Sequence, residues 1–512
     1  MNYPPSILFP GGYPDPGVEV AKEQFASDLN LDVVISGIGG RRRRNGRALS
    51  DALNTPLSEP GVIGFRQDIF RDLEDPGILE IVEAFSAEME DVYRHLRVSS
   101  GLTFPFGRKG WFIAAASVYC DAVTSMEASL RDVSPGSEGL TSFVDWLGEY
   151  ARSPGFEGFS RAIGDVRSSL SAIEYRMDIR GREVHISKPG DEADHGDEIR
   201  SAFAPLRGGA LRSYFAPRSS DSGLSYLEQW MISRLGRLYP DEFRAMDEFC
   251  DIHDPFVDPS IERFFEEIQF YLAYLEYIAD VRRRGLPFCL PRMDGATRGV
   301  GVRDIYDLAL AKKLAASGET VITNDFDLSS DERIIVITGA NQGGKTTFAR
   351  AFGQAHFLAS LGCPIPGSFA RLSTFDTILT HFEREERMRD LRGKMEDDLI
   401  RMKEVLDRAS SDSLLIMNEM FNSATVFDES TLSRLVMEDV IRIGCLGVCV
   451  TFVEELADID DGIVSLVAQV CPDDPSIRTY RLTRQPPDGL AYAVSIAEKY
   501  GLTRQRLEER IE

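Results

Sequence analysis

Positive charge is what this sequence has least of for its size. Lys and Arg number 57 against 82 Asp and Glu, a net charge of −25. That balance argues against a broad basic face of the kind that dominates binding to duplex nucleic acid. Two local exceptions are the arginine runs at 41–44 and 282–284; each reads as a solvated loop or helix end, with nucleic-acid contact as the alternative. Long apolar runs are also missing: none approaches the ~20 residues that cross a bilayer, so no membrane partner is expected. The seven cysteines are scattered, and the closest pair, Cys445 and Cys449, has no CxxC motif or His-rich cluster beside it. Their odd number, with no secretory start, predicts reduced thiols in a soluble cytoplasmic protein.

What is present is material for folded cores. The chain has 512 residues, 43% of them hydrophobic, and single cores stop growing near ~250–300 residues, so two or more domains are expected. Residues 1–60 read as a loop-rich segment, with turn chemistry in YPPSILFPGGYPDPG and a break at SGIGGRRRRNGR. From 61 to 320 the pattern is mainly helical, with apolar residues at helix spacing through 69–170. It is interrupted by YRMDIRGREVHISK, where Met177, Ile179, Val184 and Ile186 alternate as in a β-hairpin. A polar surface excursion follows over 188–223. A long helix starts at Asp258-Pro259-Ser260, a capping sequence, and ends near Arg284-Gly285. Beyond about 320 the runs IIVIT, LLIM, GVCVTF and IVSLVAQV alternate with helices, the mark of an α/β domain with a mostly parallel sheet over 321–512.

The strongest chemical signal lies in IIVITGANQGGKTTFARAF, residues 334–352. Gly339, Ala340, Asn341, Gln342, Gly343, Gly344, Lys345 and Thr346 satisfy the phosphate-loop pattern G-x-x-x-x-G-K-[ST], with Thr347 next. A β-rich strand precedes the loop. A helix follows with Phe348, Phe352, Ala355 and Leu358 on one side. Glycines let backbone N–H groups close around phosphate oxygens, and the helix N-terminus adds a favourable dipole. Lys345 is expected to reach the terminal phosphates and Thr346 to offer its hydroxyl to Mg²⁺. The bland alternative is a chance glycine-rich turn.

A second stretch, SLLIMNEMFNSAT, reads as a buried strand that ends in Asn418 and Glu419, 73 residues beyond Lys345. Nucleotide hydrolases often end such a strand in an acidic pair. Here Glu419 remains as a candidate general base. Asn418 can accept from a magnesium-bound water, but it lacks the charge that Mg²⁺ prefers. Changes of this kind cost on the order of 10–100-fold in metal affinity or activity. A plain strand end is the alternative.

At these residues the sequence resembles the MutS mismatch-repair family. The stretches ITGANQGGKTTFARAF, LGCPIPGSFARLSTFDTILT, SLLIMNEMFNSATVFDE and DGLAYAVSIAEKYGL are similar to that family's ATPase core over 321 to about 505. GVIGFRQDIFRDL and the helix at 256–284 resemble its helical core and lever arm more weakly. No segment resembles the mismatch-reading domain. The resemblance implies a P-loop NTPase domain of the ABC/MutS type, C-terminal to a mainly α-helical core and lever domain. It further implies ATP and Mg²⁺ as cofactors, a homodimer with composite sites, and DNA as a partner.

Four positions depart from the family pattern. The metal-binding Asp falls on Asn418. The adenine-stacking aromatic falls on Val321, which can pack on a base but has no π face. The Ser-Thr-Phe segment that reaches the partner's nucleotide falls on Gly393-Lys394-Met395, and a histidine falls on Phe452. The expected function is a slow, Mg²⁺-dependent ATPase with Glu419 as catalytic base, Thr346 and Asn418 at the metal, and residues 339–347 with Val321 at the nucleotide. It would act as a dimeric switch on DNA structure, without reading mismatches. The alternative is an ATP-binding protein that hydrolyses poorly and serves a protein partner.

Overall fold

A computed structural model describes residues 6–11, 25–40, 46–180, 183–189, 226–294, 299–384, 393–474 and 477–487. The arginine run at 41–44, most of the expected excursion at 188–223 and the closing segment at 488–502 lie outside them. The chain divides into two compact units: residues 1–7 with 71–265, and residues 8–70 with 266–512.

The first unit is helical because its sequence supplies both stripes and stops. Helices Pro76–Gly101 and Pro105–Arg131 pair along their length. Helices Glu138–Ala151, Pro154–Ser171, Tyr226–Leu238 and Pro240–Ile252 follow. Proline opens several of them, where its missing N–H costs nothing. Asp75, Ser137 and Ser153 cap the orphan amides of the next turn. Buried aromatics fill the interior, and the rings of Phe143 and Phe264 stack with centroids 3.7 Å apart. The expected hairpin is present as Arg176–Arg180 paired antiparallel with Glu183–Ser187.

In the second unit the long helix Pro259–Arg283, whose residues up to Phe265 count with the first unit, begins as its capping sequence predicts. The carboxylate of Asp258 accepts from the Ser260 amide at 2.8 Å. The unit's main sheet has six strands, in the order Ile378–Phe382, Leu414–Asn418, Leu446–Val450, Ile334–Gly339, Ile463–Val470 and Arg478–Arg484. The first five are parallel and the last is antiparallel. Ile, Leu and Val dominate the central strands because both faces are buried. Strand Ile334–Gly339 lies between the strand at 446–450 and the strand at 463–470, where the chain order reverses, and ligands of open α/β sheets bind outside the carboxyl ends of strands at such points.

Two sequence expectations fail here. The described residues of 1–60 include helices Phe25–Asp28, Leu31–Gly39 and Gly46–Asn54, where loops were expected. Leu31, Val34 and Ile38 form a fully buried stripe at helical spacing, which the flanking Gly and Pro signals obscured. The boundary near 320 also fails, because it cuts a four-stranded sheet. Strands Arg292–Asp294 and Val300–Ile305 pair there with Phe369–Ser373, and Val300–Ile305 also pairs with Asn324–Leu328. These strands are too short to show a period, and their partners lie far along the chain.

Candidate nucleotide site

The glycine loop leaves strand Ile334–Gly339 and enters helix Lys345–Ser360. Two glycines here have no substitute. Gly339 has φ +103°, and a Cβ on it would stand 2.9 Å from the backbone of Ala468; Gly344 has φ +93° at the helix cap. Gln342 adopts φ +58°, a left-handed conformation uncommon for a side-chain-bearing residue. The loop is braced internally by the Gly343 amide donating to the Ala340 carbonyl at 3.2 Å. It is braced externally by Arg478, whose Nε donates to the Asn341 carbonyl at 2.9 Å.

Lys345 is buried. Its Nζ donates to the carbonyls of Gly339 (2.8 Å) and Ala340 (3.2 Å) and lies 4.3 Å from the centre of the Phe452 ring. Burial lowers its pKa to about 8, opposed by the charge of Glu419 and reinforced by Arg478. Thr346 turns the other way, and its hydroxyl donates to the Asn418 side-chain oxygen Oδ1 at 2.8 Å. Asn418 is the last residue of strand Leu414–Asn418, in register with Phe382 on one side and Val450 on the other.

Glu419 follows at φ +53°, fixed by its amide donating to the Val450 carbonyl at 2.8 Å. Desolvation raises its pKa, Lys345 pulls it down, and Glu383 adds to the rise. The group is therefore a stronger base than an exposed carboxylate, with a cation nearby.

Residues Asn341 to Thr347, Glu419, Phe452 and Val321 line one cavity of about 1020 Å³. Its far wall runs through Tyr306, Asp307, Leu310 and Leu314, and Val321 packs there with Tyr306 and Ala311. Gly339 and Asn418 sit behind the lining, bonded to residues in it. Gly393 is exposed at the start of helix Lys394–Arg408 and does not line the cavity. Among the described residues no group of three or more His, Cys, Asp or Glu could hold a metal ion. Thr346 and Asn418 bring two neutral oxygens together beside the cavity, of the hard kind that Mg²⁺ accepts.

Sequence reasoning missed the third wall. Arg478, Thr479 and Tyr480 reach the cavity from the antiparallel edge strand. Tyr480 has φ +59°, and its carbonyl accepts from Asn324 Nδ2 at 3.0 Å, while Asn324 Oδ1 accepts from the Leu482 amide at 2.7 Å. The alternation in RTYRLTR was the available signal.

Residues 335–508 match the family model described as MutS domain V. The chain is 31% identical over 144 residues to the DNA mismatch repair protein msh-2 of Neurospora crassa, covering 28% of this chain and 15% of that protein. It is 29% identical over 210 residues to Endonuclease MutS2 of Gemmatimonas aurantiaca, covering 39% of this chain and 25% of that protein. The match thus spans a quarter or less of the length of either relative. The unit that holds this cavity carries an ATPase-type domain. Over residues 335–508 the chain is thus similar to domain V of the MutS family. Among the described residues no helix is long and apolar enough to cross a membrane.

Proposed function

We propose that this chain binds ATP with Mg²⁺ in the 1020 Å³ cavity and hydrolyses it slowly, as a nucleotide-dependent dimeric switch that acts on DNA structure. The observation that carries the reading is the convergence of Lys345, the Thr346–Asn418 pair and Glu419 at the carboxyl ends of two parallel strands of one sheet, with strand Leu446–Val450 between them. The backbone amides at the start of helix Lys345–Ser360 would receive the phosphates, with the helix dipole in support. Lys345 would hold the terminal phosphates by charge. Thr346 and Asn418 would hold Mg²⁺, which supplies charge neutralisation at the transferring phosphoryl group. Glu419 would orient the attacking water and take its proton, a role favoured by the raised pKa that burial gives it. Val321 would pack on the base.

Dimerisation is supported by Val426 and Phe427, which start helix Val426–Ile443 just after Glu419 and are 83% and 80% exposed. Adjacent apolar side chains that stand this far into solvent are what a second copy would cover. DNA is supported by the relatives' names alone, and the charge of −25 confines any contact to a local patch. A second reading, an ATP-binding protein with little turnover and a protein partner, is favoured by one observation: the residue facing Thr346 is a neutral amide.

Nucleotide titration and gel-shift binding to duplex, mismatched and branched DNA, with and without ATP, test the reading together. We expect nucleotide binding that Lys345→Ala weakens on the order of 100-fold, and DNA binding that changes with ATP. Failure on all three DNAs in both states would turn the assignment to a protein partner.

A further inference from the structure

The inner end of the cavity holds an arrangement that the catalytic roles above leave unused. The Lys345 ammonium is enclosed by two loop carbonyls and by the face of Phe452. Phe452 is not loosely placed. It follows strand Leu446–Val450 through Thr451, whose amide donates to the Ile337 carbonyl at 3.1 Å and whose hydroxyl accepts from the Val453 amide at 2.9 Å. The backbone on either side of the ring is thereby tied to the strand that carries the glycine loop. It is also half exposed and lines the cavity, so it fills no core.

In a phosphate loop the lysine meets the β- and γ-phosphates. A side chain that contacts that ammonium and lines the cavity therefore borders the space the terminal phosphates would enter. A phenyl ring holds a cation through its quadrupole, but it has no N–H or O–H to donate to a phosphate oxygen.

We infer that Phe452 makes this site discriminate weakly between nucleoside diphosphates and triphosphates, because its ring caps Lys345 and offers the terminal phosphate no hydrogen bond. The inference rests on the nucleotide reading above. It separates two effects. The cation–π contact restrains the ammonium whichever nucleotide enters, so its loss changes both affinities alike. A donor in place of the ring meets only the third phosphate, so it changes their ratio.

The test is equilibrium titration of the full chain in Mg²⁺ with fluorescent mant-ADP and the hydrolysis-resistant mant-AMP-PNP. Wild type is compared with Phe452→Leu and Phe452→His, each checked for an unchanged melting curve. Wild type is expected to bind the two within about threefold of each other. Phe452→Leu should tighten both by up to about fivefold and keep the ratio, the scale of an exposed to part-buried cation–π contact. Phe452→His should shift the ratio about tenfold toward the triphosphate, the scale of a hydrogen bond to a charged group. A wild-type preference for the triphosphate of tenfold or more, or one ratio in all three proteins, overturns the inference. No binding of either nucleotide by wild type overturns the nucleotide site itself, and the inference with it.

Discussion

Helix Lys345–Ser360 is held by two kinds of neighbour, and they obey different physics. Toward the six-stranded sheet its contacts beyond the polar first turn at Lys345 and Thr346 are apolar, as where Gly353 approaches Ile416 of strand Leu414–Asn418. Toward residues 25–31 directional contacts are added to apolar ones from Phe25 and Leu29. Arg350 Nε donates to the Asp28 carbonyl at 2.9 Å, and Gln354 Nε2 donates to the Leu29 carbonyl at 2.8 Å, across 322 and 325 residues of sequence. Thr380, on strand Ile378–Phe382, adds a bond to the Asp28 carboxylate at 2.6 Å. Gln354 also donates to Asp307 Oδ1 at 2.9 Å and accepts from the Leu308 amide at 2.8 Å, so one buried amide joins the N-terminal strap to the cavity wall. Apolar packing tolerates small shifts, whereas these bonds leave buried polar groups orphaned when a partner is lost.

That contrast predicts a graded series. Gln354→Ala removes the shared partner of Asp307, Leu308 and Leu29, and should cost about 3 kcal/mol in urea denaturation. A loss below about 1 kcal/mol would mean that the strap is not held by these bonds. Gly353→Ala probes both neighbours at once, since its Cβ would stand 2.6 Å from Leu29 Cδ1 and 2.8 Å from Ile416 Cδ1. Both are ends of flexible side chains, so the expected cost is about 1–2 kcal/mol, and a neutral result would show that the strap gives way freely.

A third experiment uses pH. The Lys345 ammonium, with its pKa lowered to about 8 by burial, is charged below that pH and neutral above it. Affinity for mant-ADP should therefore be flat below about pH 8 and fall above it, toward tenfold per unit. Lys345→Arg, which stays protonated, should not show the fall; a wild-type profile flat to pH 9.5 would contradict the lowering of the Lys345 pKa by burial. Thr380→Val is the mildest change, costing about 1 kcal/mol, because Asp28 keeps access to water. A cost equal to that of Gln354→Ala would erase the distinction between rim and buried bonds.

The same contrast explains what was legible in the sequence. The central strands, the glycine loop and the start of helix Pro259–Arg283 are written locally, in apolar period, turn chemistry and a capping Asp. Thr346 and Asn418 were each readable, but their 2.8 Å contact depends on strand register. The strap at 25–31 was not legible, because its meaning lies in backbone carbonyls that bond to residues more than three hundred positions away. Tyr480 escaped for a related reason: its strand is an edge strand whose exposed side chains blur the apolar pattern.

The central claim is that Glu419 acts on water beside a nucleotide held by Lys345 and Thr346. Steady-state ATP hydrolysis in Mg²⁺ by wild type and Glu419→Ala, with mant-ADP affinity measured on the same preparations, tests it most directly. The account predicts slow turnover in wild type, reduced at least tenfold in Glu419→Ala while nucleotide affinity stays within about threefold. Equal turnover in the two proteins would contradict it.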